Sequence, residues 1–138
     1  MTRTYVLDAN AVLDFVESGR GAKTVERLLH EAHRQQSVIL ISVVNWGEVL
    51  YLLWNRRGEQ KARETLESLS PLPLRITSVD LLQACKAGEI KAQHKMAFVD
   101  CLAAALAELH GATIVTGDRD FEKLGRRVQV LWITHASS

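Results

Sequence analysis

Four acidic residues of the chain lie within or directly after apolar segments, where a charged side chain is hard to accommodate. Burying a carboxylate is unfavourable unless it is paired or bound to a cation, and four carboxylates gathered together would repel one another. A hard divalent cation, which takes oxygen ligands, is the simplest way to hold such a group. The pattern therefore predicts a metal-dependent site that cleaves phosphodiester bonds. The four residues are Asp8, Glu48, Asp100 and Asp118.

The segments around these acids alternate between strand-like and helix-like patterns. Short apolar runs predict strands at residues 4–7, 38–41, 74–77, 113–115 and 128–132. Periodicity, capping residues and glycine stops predict helices at residues 11–17, 24–34, 43–56, 59–69 and 97–110, another from Ser78 or Asp80 to about residue 86, and a helical turn or short helix at 118–124. This alternation predicts an α/β fold, with a central parallel sheet and helices on both faces. Helices 43–56 and 59–69 would be an insertion between two strands.

The same fold would bring the four acids together. In an open parallel sheet, ligands bind outside the carboxyl ends of the strands, and Asp8 and Asp118 each come just after a predicted strand. Glu48 lies roughly one and a half turns into the helix after the second strand, with apolar and aromatic neighbours on its face of the helix. Asp100 lies in the first turn of a helix, where the helix dipole favours its charged form.

Each acid also has a purely structural explanation when it is taken alone. Asp8 could cap the first helix, and Asp118 could be a turn residue. Glu48 could pair with an arginine, and Asp100 could be an ordinary acid at a helix N-terminus. One metal site explains all four at once, and two of them face the predicted core.

Around these acids, four segments of the chain resemble the motifs of the PIN-domain ribonucleases, and most closely the toxins of VapBC toxin–antitoxin pairs. The segments are residues 6–13, 42–49, 99–107 and 116–121, in the order of the family and across nearly the whole chain. Cys101 stands where alanine is more usual, and no acid is missing. The resemblance implies a single PIN domain over residues 1–138, Mg²⁺- or Mn²⁺-dependent RNA cleavage, a homodimer and a cognate antitoxin that covers the site.

With that resemblance, all four acids are expected to be catalytic and to hold one or two ions of Mg²⁺ or Mn²⁺. Asp8 and Asp100 would bind metal directly, whereas Glu48 and Asp118 would bind it directly or through water. Three further residues could support them. Asn10, which is also a plausible helix cap, and Thr116 could hydrogen-bond the ligands, and Asp120 is either an extra ligand or a helix-start acid.

Basic residues near these motifs are the candidates for contacts with RNA. Lys95 lies near the start of the Asp100 helix, and Lys91 and Arg119 are further candidates, although a solvated surface residue is the default interpretation of each. The chain has 17 Lys and Arg residues against 16 Asp and Glu residues. If metal neutralises the four acids, the rest of the protein is mildly basic, which suits a polyanionic substrate.

Composition indicates one globular domain of 138 residues, with 47% hydrophobic and 24% charged residues. The apolar segments are too short to span a membrane, and Asp8 and Asn10 interrupt the N-terminal run, so neither a membrane span nor a signal peptide is expected. The two cysteines are expected to be free thiols, and the protein to be cytoplasmic. Trp54 and the apolar run around it could contribute to a dimer contact.

Three other functions are compatible with parts of the pattern. A phosphoaspartate enzyme would use Asp8, but that chemistry needs a second aspartate at the position of Asn10. A PIN-like module could bind RNA or protein without cutting, although the complete set of acids argues against it. A processing nuclease of the same family, without an antitoxin, would carry the same motifs.

Overall fold

The computed structural model describes residues 2–133, so the single domain predicted over residues 1–138 extends slightly beyond the described part at both ends. Five parallel strands form one sheet in the order β3-β2-β1-β4-β5. The strands are β1 (Arg3–Leu7), β2 (Ser37–Ser42), β3 (Arg75–Thr77), β4 (Thr113–Thr116) and β5 (Gln129–Trp132). The helices are α1 (Ala9–Val16), α2 (Ala22–His33), α3 (Val43–Arg57), α4 (Glu59–Leu69), α5 (Leu81–Gln93) and α6 (Phe98–His110), and Arg119–Arg127 is a 3₁₀ segment.

Both faces of the sheet are covered by helices, as the sequence predicts. Side chains of a strand alternate between its two faces. In β1, Tyr5 and Leu7 pack in a core with residues of α1, α2, α3 and α4, whereas Val6 packs in a second core with α5 and α6. The second half of the central strand, from Tyr5 to Leu7, is therefore buried on both sides, which accounts for its unbroken apolar sequence.

The β1–α1 connection is tighter than the sequence predicts. Helix α1 begins at Ala9 rather than at residue 11, and its N-cap is Asp8, whose side chain accepts a hydrogen bond from the Ala11 backbone N–H. The prediction of Asn10 as the cap was wrong because Asp8 directly follows the strand and already has the extended backbone of an N-cap.

Helix α5 is longer than predicted. It continues through Gly88 to Gln93, whereas the prediction placed its end near residue 86. Gly88 lies on the exposed side, and a glycine there costs only about 1 kcal/mol relative to alanine. The buried Ala87 and Ile90 on either side anchor the helix against α6, and this packing outweighs the low helix propensity of glycine.

Two smaller features complete the fold. The 3₁₀ segment runs to Arg127, beyond the predicted end at residue 124, with a kink at Gly125 where φ is 56°. Gly111 ends α6 in the left-handed conformation, with φ of 58°. No helix within residues 2–133 is both long and apolar enough to cross a membrane.

Candidate functional site

A cavity of about 180 Å³ opens at the carboxyl edge of the sheet, between the start of α1, the middle of α3 and the start of α6. All four acids singled out from the sequence line it: Asp8, Glu48, Asp100 and Asp118. Four residues separated by up to 110 positions in the chain thus meet at the edge where parallel-sheet proteins bind ligands. Asn10 and Arg56 also line the cavity.

Asp8 is held by hydrogen bonds on both carboxylate oxygens. Its side chain is almost fully buried, with 2% exposed. Oδ1 accepts a hydrogen bond from the Ala11 backbone N–H at 2.9 Å, and Oδ2 accepts one from the Thr116 hydroxyl. Burial raises the pKa of Asp8 to about 7, these two hydrogen bonds oppose the rise, and the nearby charges of Asp100 and Asp118 add to it.

Thr116 and Asn10 connect Asp8 to the loop after β4. The buried Thr116 hydroxyl donates to Asp8 and accepts a hydrogen bond from the Asp118 backbone N–H at 2.9 Å. Asn10 Oδ1 accepts a hydrogen bond from the Gly117 backbone N–H at 2.9 Å. Side chains thus join the ends of the adjacent strands β1 and β4 at the site, and these contacts fix the position of the Asp118 backbone.

Asp100 has a raised pKa for a partly different reason. Burial is again the largest cause, but the carboxylates of Asp118, Glu48 and Asp120 supply the rest, and the pKa reaches about 7. Repulsion from several like charges means that the folded protein resists full ionisation of this group unless a cation is present.

Three carboxylates come close enough to share one cation. Oxygen atoms of Asp100, Asp118 and Asp120 all lie within 4.8 Å of one another. An all-oxygen, negatively charged set of donors suits a hard divalent ion such as Mg²⁺ or Mn²⁺. Asp120, which the sequence offers as either an extra ligand or a helix-start acid, thus lies beside Asp100 and Asp118. Lys123 Nζ also lies 3.3 Å from its Oδ1. Asp8 and Glu48 line the cavity beside this trio.

Glu48 has a buried amide beside it that the sequence analysis did not single out. Burial and the charge of Asp118 raise the pKa of Glu48, and the Asn45 side chain lowers it. Asn45 is completely buried, and neither its amide nitrogen nor its amide oxygen makes a hydrogen bond with any of residues 2–133. Asn45 precedes Glu48 by three positions on α3, so the helical repeat could have identified it.

The three basic residues proposed from the sequence do not belong to the part of the cavity wall that the structure describes. Lys91 donates through Nζ to the Met96 carbonyl at 2.5 Å. Arg119 lies 5.2 Å from the centre of the Trp132 ring and 3.3 Å from Glu122. Lys95 is exposed. The basic residue that does line the cavity is Arg56, which sequence analysis missed.

A larger cavity, of about 920 Å³, lies at the opposite edge of the sheet, where β1, β4 and β5 begin. Its described lining includes Arg3, Arg27 and His110 but no acidic residue. It therefore lacks the donors that a hard metal ion needs, and the smaller acidic cavity is the better candidate for phosphodiester chemistry.

Comparison with known proteins identifies the family of the chain. The family model described as "PIN domain" matches residues 5–127. No curated protein has significant similarity to the sequence.

Similar solved structures include VapBC2 from Rickettsia felis bound to a promoter DNA fragment, with a TM-score of 0.75 and 19% identity over 93% of this chain and 97% of that chain. DNA-bound VapBC from Salmonella typhimurium gives a TM-score of 0.73 and 20% identity, over 95% and 98% of the two chains. The Mycobacterium tuberculosis toxin VapC20, described as cleaving the Sarcin-Ricin loop, gives 0.70 and 21% identity, over 88% and 95%. At these identities the likeness establishes the fold alone.

Proposed function

The chain belongs to the PIN domain family, and on that premise we propose that it is a metal-dependent endoribonuclease and the toxin of a toxin–antitoxin pair. The observation that carries this proposal is the meeting of Asp8, Glu48, Asp100 and Asp118 in one cavity. The fold shared with VapBC proteins and with VapC20, which is described as a toxin that cleaves the Sarcin-Ricin loop, supports RNA as the substrate.

Asp100, Asp118 and Asp120 are the residues that would hold a first ion of Mg²⁺ or Mn²⁺, since their oxygens lie closest together. Asp8 and Glu48, which line the same cavity, would complete its surroundings directly or through water, and could hold a second ion. Bound there, such an ion would activate a water molecule for attack and neutralise charge on the phosphate.

The residues of the chain itself do the positioning. Thr116 holds the Asp8 carboxylate through its hydroxyl, and its hydroxyl oxygen fixes the Asp118 backbone N–H. Asn10 holds the loop at Gly117. These contacts orient two carboxylates toward one cavity before any ligand arrives, which lowers the cost of ordering the site when metal and RNA bind.

Partners and location belong to the proposal as well. The similar VapBC structures support a cognate antitoxin. Exposed apolar side chains on α3 supply a surface for a protein partner, either the antitoxin or a second copy of the chain; they are Val43, Val44, Tyr51 and Trp54. We place the protein in the cytoplasm, as a homodimer. A monomer in light scattering at micromolar concentration would contradict the dimer.

The decisive experiment measures cleavage of RNA by purified protein with Mg²⁺, with Mn²⁺ and with EDTA. Cleavage is expected with either metal and not with EDTA. Asp100→Asn should lower the rate by more than about a hundredfold, because losing even a partner of a metal ligand costs up to that much. Cleavage that persists in EDTA, or in Asp100→Asn at the wild-type rate, would overturn the proposal. RNA binding without cleavage would favour a non-catalytic module.

A further inference from the structure

Arg56 stands on the same face of α3 as Glu48 and Leu52, because residues four positions apart on a helix lie one above the other. All three line the acidic cavity. Within the described part of the chain, Arg56 is the only basic side chain on the cavity wall, where four carboxylates are the other charged groups. Arg56 is therefore the one described source of positive charge on the wall of a site that would otherwise repel a phosphate.

The Arg56 side chain is held by an ion pair but keeps N–H donors with which it can bind a second acceptor. Its Nη1 donates to Glu17 Oε1 at 2.7 Å, and 49% of the side chain is exposed. Glu17 is the C-cap of α1, so this ion pair links the end of α1 to the end of α3. A guanidinium has five N–H donors in a planar fork, so the others remain able to bind a second acceptor.

We propose that Arg56 is a substrate-binding residue that contacts a backbone phosphate of the RNA while the carboxylates hold the reacting phosphate through metal. This inference rests on the proposed function. A planar guanidinium matches the geometry of a phosphate, and its charge offsets the repulsion between the acidic cavity and the RNA backbone. The contact recognises the backbone rather than a base, so it adds affinity without sequence preference.

Arg57 makes this arrangement workable. Its Nε lies 3.5 Å from Glu17 Oε2, so Glu17 keeps a cationic partner when Arg56 binds phosphate. The Glu17 carboxylate is then not left without a counter-charge. Arg57 is absent from the described cavity wall although it shares the same acidic partner and the same helix end. It is therefore the matched control for Arg56.

The test compares Arg56→Gln, Arg57→Gln and Arg56→Lys on a short single-stranded RNA that the wild-type protein cleaves. Arg56→Gln should lower kcat/KM by about tenfold to a hundredfold, mostly through KM, because it removes one hydrogen-bonded ionic contact to the substrate. The slope of log KM against log salt should become shallower by about 0.7, the value for one contact with single-stranded nucleic acid. Arg56→Lys should recover part of the loss, since lysine keeps the charge but not the fork. Arg57→Gln should change each quantity much less.

Equal effects of Arg56→Gln and Arg57→Gln, or an unchanged salt slope in Arg56→Gln, would overturn the proposal. Failure of the proposed nuclease function is seen separately, by assaying cleavage of a fluorescently labelled single-stranded RNA in Mg²⁺ and binding of that RNA in Ca²⁺. If the wild type binds without cutting, the affinity and its salt slope still test Arg56 alone. If the wild type neither binds nor cuts, both proposals fail. Circular dichroism of each variant shows whether it is folded.

Discussion

Asp8 and Asp100 share a pKa of about 7, but their surroundings differ in kind. The Asp8 side chain is buried, and each of its carboxylate oxygens accepts a hydrogen bond. Asp100 faces other acids, and their charges are the causes that follow burial. Equal pKa values can therefore have different physical causes. Asp8 serves the fold and the site together, whereas Asp100 depends on whatever cation the site receives.

The largest expected contrast is in the free energy of unfolding without metal. Asp8→Ala should lower it by about 2 to 4 kcal/mol, because it removes an N-cap and leaves the buried Thr116 hydroxyl without its acceptor. Asp100→Asn should leave it unchanged or raise it, because one source of repulsion disappears. Urea denaturation in EDTA measures both. Equal destabilisation by the two changes would refute the distinction, and Asp8→Asn, which keeps an acceptor, should fall between them.

The pH dependence of stability sharpens the comparison further. Both carboxyls have folded-state pKa values raised from 3.8 to about 7, so the folded protein binds more protons than the unfolded chain between these values. These groups therefore make the metal-free protein less stable as pH rises from about 4 to about 7. Asp100→Asn should reduce that slope, and saturating Mg²⁺ should weaken it in the wild type, because bound metal replaces the protons. Denaturation midpoints across this range are the measurement, and a metal-free slope of opposite sign would contradict the prediction.

The smallest effect concerns the loop that carries Asp118. Asn10→Ala removes the acceptor of the Gly117 N–H, which is worth about 1 kcal/mol, and should weaken metal affinity by about tenfold through a less ordered loop. Isothermal titration with Mn²⁺ measures that affinity. Lys95→Ala, which alters a residue outside the described cavity wall, is the control and should leave it unchanged. An equal loss of Mn²⁺ affinity in both variants would show that Asn10 has no specific role in ordering the metal site.

Much of the architecture follows from local patterns in the sequence. Alternating apolar runs and amphipathic segments predict a parallel sheet covered on both faces, and the structure confirms this. The meeting of Asp8, Glu48 and Asp118 follows from one rule, that strand ends and the following helix starts share an edge. Asp100 is not placed by that rule, because α6 follows α5 rather than a strand. The order of the strands in the sheet is not predictable in this way, because it depends on how whole faces of the sheet and helices pack.

The details of the site depend on the direction of side chains, which sequence proximity does not give. Lys91 is near the Asp100 helix in sequence, but its amine donates to the Met96 carbonyl and does not line the described cavity wall. Arg56 is eight residues from Glu48, yet two turns of α3 bring it to the same wall. Asp120 joins Asp100 and Asp118 only because the 3₁₀ segment starts directly after Asp118.

The double use of Asp8 has a consequence for genetics. In a selection for cells that survive expression of this chain, substitutions at Asp8 would be recovered for two reasons, loss of chemistry and loss of soluble folded protein. Substitutions at Asp100 would be recovered chiefly for the first. Asp8 is both the N-cap of α1 and the partner of Thr116. A map of tolerated mutations would therefore rank Asp8 as more sensitive to substitution than its role in the reaction alone would make it. An abundant, inactive Asp100→Asn protein is accordingly the cleaner tool for trapping a bound RNA or partner.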